Sequence, residues 1–270
     1  FAGRVLLVFQ PAEEFGHGSK FFLAEHITEG VDGAFGIHVA PNIPVGTVAM
    51  TRGADSASCD YFKITIRGRE AHISKPGEGI DALYIASLII TQLKKLAQRL
   101  VPSEAALIGV GKITARRSYN IIAGDAVMEG TTRTFSYETQ DLLKKSITDL
   151  TARITADSGG SAVTEFETFA SALINDDTAF DEVYRVAEKI VGAENVCTDQ
   201  ALIRNLGADD FAEYIRDTKG VYVHVGTSRP NDPDTANPLH SSKFDIDEQA
   251  LLVAANLHIM YTLSILRNKV

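Results

Sequence analysis

The stretch YFKITIR, residues 61–67, alternates without a break: Phe62, Ile64 and Ile66 fall on one side and Lys63, Thr65 and Arg67 on the other. Successive side chains of a strand point to opposite faces, so this period marks a half-buried strand with one wet face. A long helical pattern follows over about 79–100, with Lys94, Lys95 and Arg99 on its wet side. Two antiparallel strands come next, 106–115 and 125–135, joined by the turn-like RRSYNIIAG, where Arg116 and Arg117 read as a solvated pair. A helix at about 138–157 and a strand at about 161–169 complete the set. The order β-α-β-β-α-β is that of a ferredoxin-like unit, able to stand as a small domain.

Outward from this unit the pattern changes. RVLLVFQ, residues 4–10, predicts a buried strand, a short apolar run stopped by Pro11. SKFFLAEHITE, residues 19–29, predicts a helix with Ser19 as N-cap and Gly30 just past its end. DGAFGIHVA, 32–40, and GTVAMTRG, 46–53, predict two further strands. Strand–helix–strand order is the grammar of a mostly parallel sheet. After ALINDD, 172–177, helix and strand alternate again, and the last helix, about 246–267, opens with Asp245 and Glu248 in capping-box spacing. The expected fold class is α/β: a mostly parallel-sheet domain in two parts, 1–57 and 171–270, with the ferredoxin-like unit inserted at 58–170.

Bulk composition narrows the function. The 270 residues are 45% hydrophobic, enough for a sizeable core. The net charge of −9 and a pI near 5.3 argue against nucleic acid or an anionic membrane as the main partner. No apolar stretch is read as approaching the length of a membrane span; the longest, around Leu83 to Leu100, is broken by its charges. Two cysteines, Cys59 and Cys197, make a disulfide framework unlikely to be intended and fit a reducing cytoplasm. Phe1 begins in mid-pattern with no initiator Met, so the chain is expected to be the later part of a longer protein.

Chemistry is concentrated in FQPAEEFGHGSKFF, residues 9–22, where Glu13 and Glu14 stand side by side after the first apolar run. Adjacent carboxylates repel, and burial worsens the repulsion. Either solvent hydrates both, or a metal ion takes one as ligand and leaves the other to move a proton. His38 lies late in its strand, and His240 lies in NPLHSSKF just before the last helix. In open α/β sheets, sites form at the carboxyl ends of strands. A carboxylate and two imidazoles there would suit zinc or another first-row divalent ion. Any one of these histidines alone reads more readily as structural than as a ligand. His17, His26, His224 and His258 have no motif around them, and His26 and His258 fall on expected helices.

QPAEE, GIHV, GREAH, YNII with GTTRTF, GADDFAEY and LHSSKFD, in that order, resemble successive motifs of the M20 metallopeptidase family. The similarity is to its amidohydrolase branch, which includes hippurate hydrolases, N-acyl-amino-acid deacylases and auxin-conjugate hydrolases. It runs from residue 4 to about 265. The resemblance implies an α/β catalytic domain with an inserted lid, two divalent metal ions (Zn, Mn, Co or Ni), and a homodimer formed through the lid. It implies Glu13 as general base and Glu14, His38 and His240 as metal ligands. It implies that His72 reaches the active site of a partner subunit and polarises the scissile carbonyl, and that Asn120 and Arg133 contact the substrate's carboxylate end. Asp209 and Asp210 match the acidic pair of a SEDF-like motif, with Ala208 in place of Ser; the alternative is that they merely start the helix at 210–216. The family's earlier CGHD motif, source of a cysteine and a histidine ligand, has no match in these residues and would precede Phe1. The implied reaction is metal-dependent hydrolysis of the amide bond of N-acyl amino acids or small conjugates. The alternatives are a non-catalytic dimerising homologue or fragment, and a dipeptidase or carboxypeptidase.

Overall fold

The structure, a computed structural model, describes residues 3–115, 118–229 and 231–267; the Arg116–Arg117 pair lies outside the described residues. In chain order the strands are β1 (Ala34–Pro44), β2 (Val48–Ala49), β3 (Gly53–Ser56), β4 (Cys59–Arg67), β5 (Ala71–His72), β6 (Leu107–Ala115), β7 (Ile121–Ile122), β8 (Asp125–Arg133), β9 (Ser161–Ala170), β10 (Leu173–Asn175), β11 (Val196–Cys197) and β12 (Gly220–Ser228). The helices are α1 (Gly18–Ala24), α2 (Ala82–Leu100), α3 (Tyr137–Asp157), α4 (Asp177–Val191), α5 (Gln200–Ile203), α6 (Ala212–Ile215) and α7 (Gln249–Arg267). Two compact units result: Phe1–Ser56 with Leu173–Asn205 and Asp209–Val270, and Ala57–Ala172 with Leu206–Ala208.

The second unit is an antiparallel sheet in the order β6-β8-β4-β9, the ferredoxin-like arrangement. Its alternation is that of the sequence. Phe62, Ile64 and Ile66 are fully buried and pack on Ile85, Ile89 and Leu93 of α2 and Ile147 and Leu150 of α3. Asp81 caps α2 by accepting from the Leu83 and Tyr84 amides, and Ser136 caps α3 through the Thr139 amide. On the open face, the registers align Lys112, Glu129, Lys63 and Glu165 in one row across four strands. Opposite charges on neighbouring strands attract, each pair by a few tenths of a kcal/mol. Gly130 leaves room for the core: a Cβ there would lie 2.3 Å from both Phe62 Cζ and the Gly109 carbonyl oxygen.

One charge is sunk inside this unit. The Asp60 carboxylate, on β4, is fully buried and accepts hydrogen bonds from Thr132, Thr168 and Gln140, with Lys144 Nζ at 2.9 Å. It thereby ties together β4, β8, β9 and α3.

In the first unit the sheet order is β1-β12-β2-β11. The β1–β12 and β2–β11 ladders are parallel, and β12–β2 is antiparallel, so the sheet is mixed. Strand β12 reads VYVHV, 221–225, with a period of two. Val221, Val223 and Val225 enter a core with Val183 of α4 and Leu257 of α7, while Tyr222 joins a second cluster with Tyr214 and Ile215 of α6.

Several expectations fail: the strand expected at 46–53 is split into β2 and β3, Ser19 lies inside α1 with His17 in the N-cap place, and four further differences follow. Residues 4–10 form no strand; Leu7 is 74% exposed and Phe9 86%. An apolar run becomes a strand only by exchanging backbone hydrogen bonds with a neighbour, and among the described residues none lies alongside it. Helix α1 stops at Ala24, not at 29, because the Glu25 amide turns back on Phe22 and Leu23 and His26 then adopts a left-handed φ of 57°. At α7, Asp247 accepts from the Gln249 amide while Asp245 accepts from Ile246, so the Asp245–Glu248 capping box does not form. Finally, α7 is, by length and composition alone, apolar enough to cross a membrane, contrary to the reading of the sequence; its Ala250, Leu257 and Tyr261 are buried in the core.

Replacing Lys144 by Met should strand the Asp60 charge and destabilise the chain by about 2–3 kcal/mol, less than the loss of a fully enclosed pair because three neutral donors remain. Urea unfolding of the variant checks this; an unchanged midpoint would show that the lysine contributes nothing to the network.

Candidate active site

Two strained turns of the first unit carry the expected residues. Glu13–Phe15 form a single tight helical turn that follows Ala12, whose φ is 60°. His240 has a φ of 64°. Left-handed backbone is unfavourable for residues other than glycine by about 1–2 kcal/mol and persists where the surroundings impose it, which is common at functional sites. Between these turns, His240 Nε2 stands 3.5 Å from Glu14 Oε1.

Glu13 faces different neighbours. Oxygens of Glu13, Asp209 and Asp210 lie within 4.8 Å of one another. Asp210 is buried and held at both oxygens, by Gln10 Nε2 at 2.7 Å and by the Ser19 amide at 3.0 Å. Gln10 is in turn fixed by the Tyr214 hydroxyl, which donates to its Oε1 at 2.5 Å. Asp209 accepts from the Phe211 amide at 2.8 Å and from the Tyr222 hydroxyl. Both tyrosines stay protonated donors: burial and the neighbouring aspartates push Tyr214 up to about 12 and Tyr222 further still. Burial first, then the charges of Asp209, Asp210 and Glu14, push the Glu13 carboxyl from 4.5 up to about 7. A carboxyl poised there can both accept and release a proton near neutral pH.

The face of the sheet supplies the imidazoles. In the parallel β1–β12 ladder, Gly36 pairs with Tyr222 and His38 with His224. A Cβ on Gly36 would lie 2.9 Å from the Tyr222 ring and 3.0 Å from that of Phe211, so glycine is required where these rings cross the strand. His38 Nδ1 is 2.8 Å from the Val39 carbonyl oxygen. A carbonyl only accepts, so Nδ1 carries the proton and Nε2 keeps its lone pair for a ligand. His224 Nε2 bonds Oδ1 of the fully buried Asp55, which also accepts from Thr51 and Ser56.

The expected ligands are only partly brought together: Glu14 meets His240, while His38 stands apart on the sheet. Carboxylate and imidazole are the donor types a first-row divalent ion takes, and of the three only Glu14 and His240 stand together. Asp209 accepts from the Phe211 amide just before α6, whose first turn has no side-chain cap, and its carboxylate lies near that of Glu13. In the second unit, His72 and Asn120 are neighbours through the β5–β7 ladder and the Ile73 amide, which donates to the Asn120 carbonyl. Ser74 donates its amide to His72 Nδ1, leaving Nε2–H as an exposed donor. Arg133 sits at the other end of β8, donating to the Thr132 carbonyl. Eight steps of strand at about 3.3 Å put it roughly 26 Å along β8 from Asp125, which follows Asn120 by five residues. Among histidines without a motif, His26 lies past α1 in a surface pair with Glu29, and His258 packs edge-on against Phe35. The residues missed by the sequence are Gln10, Tyr214, Tyr222, Asp55 and His224. For Tyr222 and His224 the one visible signal was polar groups alternating with valine along β12.

The chain belongs to peptidase family M20/M25/M40, whose description it matches over residues 1–262. It is 32% identical over 254 residues to an N-acetylcysteine deacetylase of Bacillus subtilis, covering 94% of this chain and 64% of that protein. It is 31% identical over 263 residues to thermostable carboxypeptidase 2 of Saccharolobus solfataricus, covering 96% and 65%. A dinuclear metal-binding peptidase of family M20 from Bacillus subtilis has a similar solved structure, with a TM-score of 0.79, 28% identity and coverage of 96% and 64%. The chain thus spans slightly under two thirds of the length of these relatives.

The raised Glu13 gives a pH prediction for the metal-free chain. Folding holds its proton more tightly, so stability falls as pH rises from about 4.5 to about 7 and the penalty is full above that. Glu13→Gln should therefore raise the thermal midpoint at pH 8 and leave it nearly unchanged at pH 4. Equal shifts at both values would contradict the crowding described here.

Proposed function

We propose that this chain carries the hydrolytic site of a metal-dependent amidohydrolase that cleaves the amide bond of N-acyl amino acids or related small conjugates. The observation that carries the reading is the division of labour between two adjacent carboxylates. Glu14 faces His240, and Glu13 is poised near neutrality by burial first and then by the charges of Asp209 and Asp210. Glu14, His240 and Nε2 of His38 would hold the metal, one ion or two of Zn, Mn, Co or Ni. When bound, such an ion supplies Lewis-acid activation of water and of the scissile carbonyl. Glu13 then takes the proton of the attacking water on its carboxylate and delivers it to the leaving nitrogen. His72 Nε2–H is suited to donate to the developing oxyanion, and Arg133 to pair with the substrate's carboxylate.

Arg133 ends β8, about 26 Å of strand from Asp125, while Asn120, beside His72, precedes the start of that strand. This separation favours a homodimer through the second unit, with different copies contributing the two ends. Acidic net charge and free cysteines are consistent with small-molecule substrates and a cytoplasmic setting. A carboxypeptidase is the second reading, favoured by the similarity to thermostable carboxypeptidase 2.

The test is a panel of N-acetyl and N-aroyl amino acids beside dipeptides and longer peptides, assayed with Zn²⁺ or Mn²⁺. Deacylation is expected to dominate. Glu13→Gln should bind as much metal by calorimetry but turn over about 10²–10⁴-fold more slowly. Normal turnover in that variant would remove Glu13 from the mechanism. Preference for peptides would select the carboxypeptidase reading, and inactivity on every substrate the non-catalytic one.

A further inference from the structure

We propose that Tyr222 is a positioning residue of this site: its hydroxyl locks Asp209 beside Glu13, and its ring is clamped so that the lock holds one geometry. The inference rests on the hydrolase reading above. Asp209 has two oxygens and both are used. One accepts from the Phe211 amide, which fixes the carboxylate to its own turn, and the other accepts from Tyr222 at 2.5 Å. Without the tyrosine, nothing else described holds that second oxygen, and Asp209 can swing about its side chain within reach of Glu13.

The ring itself has no freedom. Its backbone is gripped on both sides by the buried Asn175 amide, which accepts from the Tyr222 N–H at 2.7 Å and donates to its carbonyl at 3.2 Å. Phe211 lies against the ring at 5.5 Å between centroids, His224 meets it edge-on at 5.3 Å and His38 stands at 6.2 Å. His224 is itself anchored by Asp55. The same side chain that fixes Asp209 therefore also walls the imidazole expected to bind metal. Partners one bond removed from reacting or ligating groups commonly change affinity or activity by 10–100-fold.

Tyr222→Phe keeps the ring and removes only the lock. In the metal-loaded protein acting on an N-acetyl amino acid, it should lower kcat about tenfold or more with KM within about twofold. Asp209→Asn should give a similar loss, and the double variant no further one, since both break the same link. A second cycle avoids turnover altogether: in the metal-free chain, the double variant should lower the thermal midpoint by less than the sum of the single shifts. Additive shifts would overturn the lock. A coupled stability cycle with wild-type kcat in Tyr222→Phe would overturn the positioning role and leave the bond as packing. No turnover by the wild-type protein on any substrate would overturn the hydrolase reading, and the catalytic use of Tyr222 with it.

Discussion

Three carboxylates gathered within 4.8 Å are the constraint around which the first unit is arranged. Left alone they would separate, because like charges at that spacing in a partly dry environment repel strongly. They stay because each of the two aspartates is tied at both oxygens by neutral donors that cannot move away: an amide from α1, an amide from its own turn, a glutamine and a tyrosine. Neutral donors compensate the negative charge only in part. The remainder falls on Glu13, the least restrained of the three, which responds by holding its proton. The acid–base character of one residue is thus imposed by elements separated by some two hundred positions in the chain.

The second unit solves its own charge problem by a different route. Asp60 is fully buried, yet it is given a lysine and three further donors, and it serves as a knot between strands and a helix. The contrast separates scaffold from site. Where a carboxylate is fully matched it holds elements together. Where the match is withheld, proton affinity shifts and chemistry becomes available.

Periodicity made the second unit legible. The alternation in 61–67, the helical stripe of α2 and the order of elements follow from local rules, and the boundaries agree to within a few residues. In the first unit the same rules were weaker. An apolar run at 4–10 satisfies the pattern of a buried strand, but strand formation depends on a neighbour that no local pattern reveals. Motifs in the sequence marked Glu14 and His240, which the fold brings to 3.5 Å of each other. Tyr222 and His224 reach it through the pairing of β1 with β12, which joins residues 38 and 224, and Gln10 through its bonds to Asp210 and Tyr214, contacts that only the folded chain displays. The left-handed turns at Ala12 and His240 were equally hidden, since neither residue type announces a positive φ.

The row Lys112, Glu129, Lys63 and Glu165 on the open face has a role beyond its own modest attraction. A slip of one residue between β4 and β8 would turn Phe62, Ile64 and Ile66 out to water and is forbidden by the core. A slip of two would keep all three inside, so the burial pattern alone cannot detect it, although Phe62 would lose its place over Gly130. The charges can: after such a slip Lys63 faces Val127 or Thr131 in place of Glu129, and the row is broken. Side chains on the solvated face thereby add a second check on an alignment that hydrophobic alternation by itself leaves open.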